Sequence, residues 1–341
     1  MGDTTDRVIE LNAPGAGGVI ESSGSGALIF DSPAFSVGAG AKTLTLGGDN
    51  TDANEIQSVI PDPDDAGATQ LSLEKTGGGT WIISGANTYS GPTTVSGGTL
   101  LVNNTSGSGT GSSSVTVEAG ATLGGTGNID GAVTVNDSAK VSPGESIGTL
   151  VVDSISFGGT NSKLLIEVGD SGHDQLTIEG GSTTLNGQLL IDLVGAIPDF
   201  TDSFTIVSTT GTLSVDFSNS SFGRVTTVGG EGSFLATNVL NDVVLSQFLA
   251  TPLAAATSSA DLIDAALAYE LASDVAVEEE TQFVEPLSFE ALAMDRVLAS
   301  RDQLPTAREV SDSDVATANP NEAAEAEPMW LAEELLERVF G

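Results

Sequence analysis

The feature that most restricts the fold is a recurrence. The run Val-Thr-Val-Glu-Ala-Gly-Ala-Thr-Leu begins at Val115, and Val-Thr-Val-Asn-Asp-Ser-Ala-Lys-Val begins 18 residues later at Val133. A Val-Val pair follows at Val151, after another 18. Between the first two copies Val115 matches Val133, Val117 matches Val135, Ala121 matches Ala139, Leu123 matches Val141 and Ile129 matches Ile147. A unit this short cannot bury its apolar positions alone, so units with their apolar residues in register must stack on one another. Short alternating runs at 115–117, 121–123, 133–135, 164–168 and 189–193 are bounded by Gly, Asn, Asp or Ser, residues that accept turn dihedrals. The expected architecture is all-β: a right-handed single-stranded parallel β-helix with a strand spacing of ~4.8 Å. At about 20 residues per coil it would make about a dozen coils over the first 250 residues or so. A sandwich or barrel of hairpins would instead use Asn186-Gly187 and Asp130-Gly131 as two-residue turns between longer strands. A fixed spacing of Val-x-Val argues against it.

The chemistry changes near residue 250. Of 42 glycines, 41 precede that point, and Ala, Glu and Leu dominate after it. The expected division is a β-helix over 1–248, a helical capping region over 249–304, a disordered acidic linker over 305–327 and a terminal amphipathic helix over 328–341. Ser259 can cap a first helix, to about residue 277, that aligns Ile263, Leu267 and Leu271. Ser288 can cap a second with Phe289, Leu292 and Val297 on one side. Pro328 suits the first turn of a third in which Leu331, Leu335 and Val339 align. These helices can cover the open end of the coil, and Trp330, Leu331, Leu335 and Phe340 form a possible partner-docking set.

Charge and composition exclude several functions. The chain carries 47 acidic and 10 basic side chains, a net of −37, which opposes nucleic acid and anionic membrane surfaces. There is no Cys, hence no disulfide, thiolate site or Cys nucleophile. No run reaches the ~18–20 apolar residues of a membrane helix. Met1 to Leu11 lacks the regions of a signal peptide, and the chain begins inside a repeat, as a fragment would.

Residues 73–102 read LEKTGGGTWIISGANTYSGPTTVSGGTLLV. This segment resembles the autotransporter-associated β-strand repeat: Lys75 and Gly77 open it, Gly85, Asn87, Tyr89 and Gly91 form the Gly-x-Asn-x-Tyr-x-Gly centre, and Gly98 and Leu100 lie in the closing strand. Ser-Pro-Gly-Glu-Ser-Ile-Gly-Thr-Leu at 142–150 and the runs at 172–193 and 203–217 resemble the later coils of such passengers. The resemblance implies a secreted or cell-surface scaffold with no catalytic residues to transfer. The family's C-terminal membrane barrel, built of alternating strands, has no counterpart in the pattern after Ser246.

Candidate sites are few. His173, the one histidine, has Asp174 beside it and reads as a solvated turn rather than a general base. Asp62, Asp64 and Asp65 gather hard oxygen ligands in a loop that interrupts the repeat, a weak Ca²⁺ candidate. No cofactor is expected. The reading is a non-enzymatic structural or adhesive segment, with a surface polysaccharide or another cell-surface protein as partner. The alternatives are a polysaccharide-active β-helix lyase or hydrolase, for which an Asp cluster with basic neighbours would be needed, and a Ca²⁺-dependent binding module.

Overall fold

A computed structural model gives the fold of residues 2–13 and 17–250. The described residues lie in one compact unit; the expected tail segments, apart from residues 249 and 250, lie outside the described residues, with Trp330, Leu331, Leu335 and Phe340. Among the described residues every regular element is a β-strand.

The chain passes alternately through two mainly parallel sheets, the arrangement of a β-helix. The first face is built from Gly18–Glu21, Lys42–Gly47, Leu71–Lys75, Thr93–Val95, Val115–Val117, Asn128–Val135, Thr149–Phe157, Gln175–Ile178 and Phe204–Thr209. The second contains Asp3–Thr5, Leu28–Phe30, Asn54–Ile56, Thr80–Ile83, Thr99–Val102, Thr122–Gly125, Lys140–Pro143, Lys163–Gly169 and Gln188–Leu193. Each strand is three to nine residues long. Strand-forming Val, Ile, Leu and Thr therefore need hold an extended chain only briefly before Gly or Asn turns it.

Register converts the sequence period into columns. On the first face Leu44, Leu73, Thr93, Val115, Val133 and Ile155 are successive partners, as are Leu46, Lys75, Val95, Val117, Val135 and Phe157. On the second, Asn54, Trp81, Leu100, Leu123, Val141, Leu164 and Leu189 follow one another. Nearly all of these side chains are buried in one continuous core. Period-two alternation sends every second residue inward, and parallel in-register pairing makes that set coincide from coil to coil.

The pairings Val115 with Val133, Val117 with Val135 and Leu123 with Val141 agree with the repeat. The Ile129 match and the third start do not. Ile129 pairs with Val152, not Ile147, and Val133 and Val135 pair with Ile155 and Phe157, not with Val151 and its neighbour. The cause is the loop at Gly144–Gly148, which lengthens that coil. The step from Thr122 to Lys140 is 18 residues, whereas that from Lys140 to Lys163 is 23. Coils of this length are fewer than a dozen: the second face contains nine successive parallel strands.

Neither Gly-containing hairpin candidate is a hairpin. Asn186-Gly187 is a corner between Ser182–Leu185, which pairs with Thr212–Val215, and Gln188–Leu193, which pairs with Lys163–Gly169. Asp130-Gly131 sits within Asn128–Val135 at a register shift. A Cβ on Gly131 would lie 1.7 Å from the Ser113 carbonyl oxygen, so the residue is needed for close approach of two coils.

At the C-terminal end the pairing reverses. Asp242–Ala250 runs antiparallel to Phe204–Thr209 and to Gly232–Val239, which in turn pairs with Arg224–Thr226. Phe234 packs 5.9 Å from Phe204 and 4.8 Å from Phe248, ring centre to ring centre. Arg224 ties the strands by donating from Nη2 to the carbonyls of Ser233 and Gln247, both at 2.6 Å. The last strand of the second face is shielded differently. The Asn219 side chain accepts from Leu189 N–H at 3.0 Å and donates to its carbonyl at 2.8 Å, as a neighbouring strand would. Among the described residues, antiparallel strands cover the end of the first face, and Gln188–Leu193 meets the Asn219 amide and a bridge from Ile191 to Thr227; the helices expected to cap the coil lie outside the described residues.

Candidate functional site

The motif coil, residues 73–102, is where the sequence placed most of its distinctive residues. Lys75 follows Leu71 and Leu73 inward and replaces an aliphatic residue in the column of Leu46 and Val95. Its Nζ donates to the carbonyls of Thr76 (2.7 Å), Gly97 (3.0 Å) and Gly77 (3.2 Å), and the residue is fully buried. Burial pushes its pKa down to about 8, with the carboxylate of Asp49 partly opposing. The cation thus gathers the turns of two successive coils.

Asn87 links three coils. Its Oδ1 accepts from Ile60 N–H at 2.8 Å in the coil before, and its Nδ2 donates to the Gly109 carbonyl in the coil after. Its own backbone N–H reaches the Ser108 carbonyl at 2.8 Å. Tyr89, also fully buried, shares a 2.7 Å hydrogen bond with Thr93, the one hydroxyl in the column of Leu73 and Val115. Burial holds the Tyr89 phenol well above the usual range, with the Thr93 bond opposing. Trp81 donates from Nε1 to the Gly47 carbonyl at 2.9 Å, and Leu100 stacks on it in register.

The motif glycines serve close approach and turning. A Cβ on Gly85 would lie 2.3 Å from the Ser58 oxygen and one on Gly91 2.2 Å from the Leu71 oxygen, while Gly77 and Gly98 take φ of +70° and +61°. Each polar motif side chain is thus occupied by backbone or by another interior group.

The acidic loop is also internally committed. Asp62 Oδ1 accepts from Leu71 N–H (3.0 Å) and Ser90 N–H (2.9 Å). Burial raises its pKa, but the hydrogen bonds from Ser90 and Leu71 outweigh it and the net direction is down. Asp65 accepts from the Thr69 hydroxyl and, at 3.0 Å, from Gly40 N–H, and these bonds lower its pKa. Asp64 is exposed, and its backbone N–H donates to Val37. Asp62 and Asp65 therefore face different backbone segments. Among the described residues there is no group of three His, Cys, Asp or Glu placed to hold a metal ion.

His173 does not occupy a solvated turn. It is half-buried, Nε2 lies 3.0 Å from the Thr205 carbonyl, and its ring stands edge-on to Phe204 at 5.4 Å. Asp174 is fully buried and turns away from it: Oδ1 accepts from Gly148 N–H and Oδ2 from Glu167 N–H, each at 2.9 Å. Burial raises the Asp174 pKa to about 7, against the pull of those two amides. The pair is not a base with its orienting acid. The structural importance of Asp174 escaped the sequence reading because a Gly-His-Asp turn looks the same whether its carboxylate faces water or two buried amides. A β-strand resuming at once with Gln175-Leu176 was the available signal.

Residues 73–102 match the passenger-associated-transport-repeat model. The adhesin BmaC autotransporter of Brucella suis biovar 1 is 42% identical over 108 residues, 30% of this chain and 3% of that protein. The extracellular serine protease of Serratia marcescens is 33% identical over 156 residues, 43% of this chain and 14% of that protein. The chain thus spans a small part of either relative. It carries an autotransporter passenger-type repeat.

Proposed function

We propose that the chain is a non-enzymatic segment of a secreted or cell-surface bacterial protein, a right-handed β-helical scaffold that displays its outward loops for adhesion. The right-handed sense is that of nearly all parallel crossovers. The rod of this proposal runs to residue 248, with the segments beyond it as a separate tail. The observation that carries the reading is the use made of the matched repeat: Lys75 and Asn87 spend their polar atoms on joining coils, and Tyr89 turns its hydroxyl inward to Thr93 of its own coil. A repeat committed in this way builds length and stiffness and leaves recognition to loops.

The name of the Brucella relative supports an adhesive role, and that of the Serratia relative points toward proteolysis. A Ser-His-Asp centre needs a histidine held by a carboxylate and free to reach a serine. The chain has one histidine, and it is engaged with Thr205 while Asp174 faces amides. The adhesive reading is therefore preferred. Beads coated with the purified chain should be retained on surfaces bearing bacterial or host polysaccharides or matrix protein, without release of peptides or new sugar ends. Retention no greater than with albumin-coated beads would overturn the adhesive role, and turnover that disappears in Asp174→Asn would replace it with the enzyme reading.

A further inference from the structure

On the outer side of the second face, three neighbouring strands pair like with like. Lys163, Leu165 and Glu167 are the half-buried, outward positions of Lys163–Gly169, alternating with buried Leu164, Ile166 and Val168. In register, Lys163 lies beside Lys140, Leu165 beside Leu190, and Glu167 beside Asp192. The result is a cation pair, a leucine pair and a carboxylate pair in sequence along the strands. Lys163 and Glu167 are about 13 Å apart, four residues of extended chain, with the leucines midway.

Like charges directly opposed on neighbouring strands destabilise a sheet. In a chain with 47 acids and 10 bases, these lysines had many carboxylates to sit among. Neither lysine side chain makes a hydrogen bond or ion pair among the described residues. Glu167 Oε2 is shielded from solvent with no hydrogen-bond partner. Burial and then Asp192 push the Glu167 carboxyl up, with Lys140 partly opposing. The pull of Lys140 on Glu167 is outweighed by burial and Asp192, so the acidic end is not neutralised within the strip.

We propose that this strip docks on the same strip of a second copy of the chain, about a two-fold axis lying in the interface along the ladder. That rotation sets Leu165 and Leu190 against their own counterparts and brings the lysine end of each copy over the carboxylate end of the other. It is an isologous, self-complementary contact. Six side chains alone bury less than the ~1,000 Å² of a specific interface. The same outer side continues from Lys140 through the half-buried Ser142, Thr122, Leu101 and Thr99, which supply further area.

The test is sedimentation velocity of the full chain up to about 100 µM, read as a dissociation constant. The wild type should dimerise reversibly, and more weakly in high salt. Lys140→Glu with Lys163→Glu, and separately Glu167→Lys with Asp192→Lys, should each weaken dimerisation at least about tenfold. Mixing the two double variants should restore a dimer, since an all-acid strip then meets an all-basic one. Melting curves identify a variant that fails to fold, in which case Leu165→Arg replaces it. A wild type monomeric at every concentration, well-folded variants that dimerise like the wild type, or a mixture that stays monomeric would each overturn the proposal. The measurement needs only the purified chain, so it succeeds or fails separately from the adhesive role.

Discussion

In the coils around the motif every strand has a parallel neighbour on both sides, so no coil keeps its shape without the next. After Val215 the chain instead folds back on itself, and its antiparallel strands close on Phe204–Thr209, joined by Arg224 and a cluster of phenylalanines. Both regions bury large aromatic residues completely, Trp81 in one and Phe234 in the other. They differ in what depends on them. A stack transmits damage to its neighbours because its interfaces are shared, whereas an antiparallel end has local connections and can open as a smaller unit.

The sharpest contrast is between Trp81→Ala and Phe234→Ala. Each removes a fully buried ring and should cost about 3–5 kcal/mol at its own site. Hydrogen exchange should show loss of protection on both sides of Trp81, through the coils containing Leu46 and Val117. In Phe234→Ala the loss should be confined to about residues 204–250. Equal spread in the two variants would erase the distinction.

Asn87→Ala comes next, at about 2–3 kcal/mol, because it leaves the Ile60 amide and the Gly109 carbonyl without partners in the interior. Chemical denaturation measures it. A cost below about 0.5 kcal/mol would mean that Asn87 is not a clamp.

The junction between the regions responds to pH. Asp174 has its pKa raised from 3.8 to about 7 in the folded chain, so the folded state holds this proton more tightly than the unfolded one. Its contribution is therefore favourable at low pH and is lost as pH rises through about 4 to 7. The wild type should lose stability across that window relative to Asp174→Asn, seen as a converging difference in melting temperature. Parallel pH profiles would show that burial does not dominate at this carboxylate.

The smallest effect concerns two equivalent turns. Ser138 takes φ of +66°, where the preceding coil has Gly120 at +83° with open space around it. Ser138→Gly removes left-handed strain but adds chain entropy, for a net gain below about 1 kcal/mol. A small rise in melting temperature is expected, and a fall would place the serine hydroxyl in a needed contact.

The middle coils were the most legible part of the chain. Val115, Val117, Leu123 and their successors repeat at one spacing because each coil repeats one geometry, and the register reproduces that spacing. Legibility faded where a loop changes the coil length: Gly144–Gly148 moved the partner of Ile129 to Val152, and nothing local to Ile129 encodes that shift. The C-terminal reversal was hidden for a related reason, since apolar and Thr-rich runs such as 204–209 and 242–250 are shared by parallel and antiparallel strands. Of the distinctive residues, the motif positions were visible as a pattern, while their work as clamps depended on carbonyls such as Gly47, Gly97 and Gly109 that any residue type could provide. Lys140 and Lys163 drew attention only as scarce cations. Their adjacency exists in the register alone.

The central claim, parallel coils with their columns in register, is tested most directly by distances along one column. Thr45, Glu74, Thr94, Thr116, Thr134 and Ser156 are successive outward partners on the first face. Pairs of spin labels at 45 and 134, and at 45 and 156, should give backbone separations of about 19 and 24 Å, rising by ~4.8 Å per coil. Separations that do not increase by that step from one coil to the next would contradict the stacked architecture.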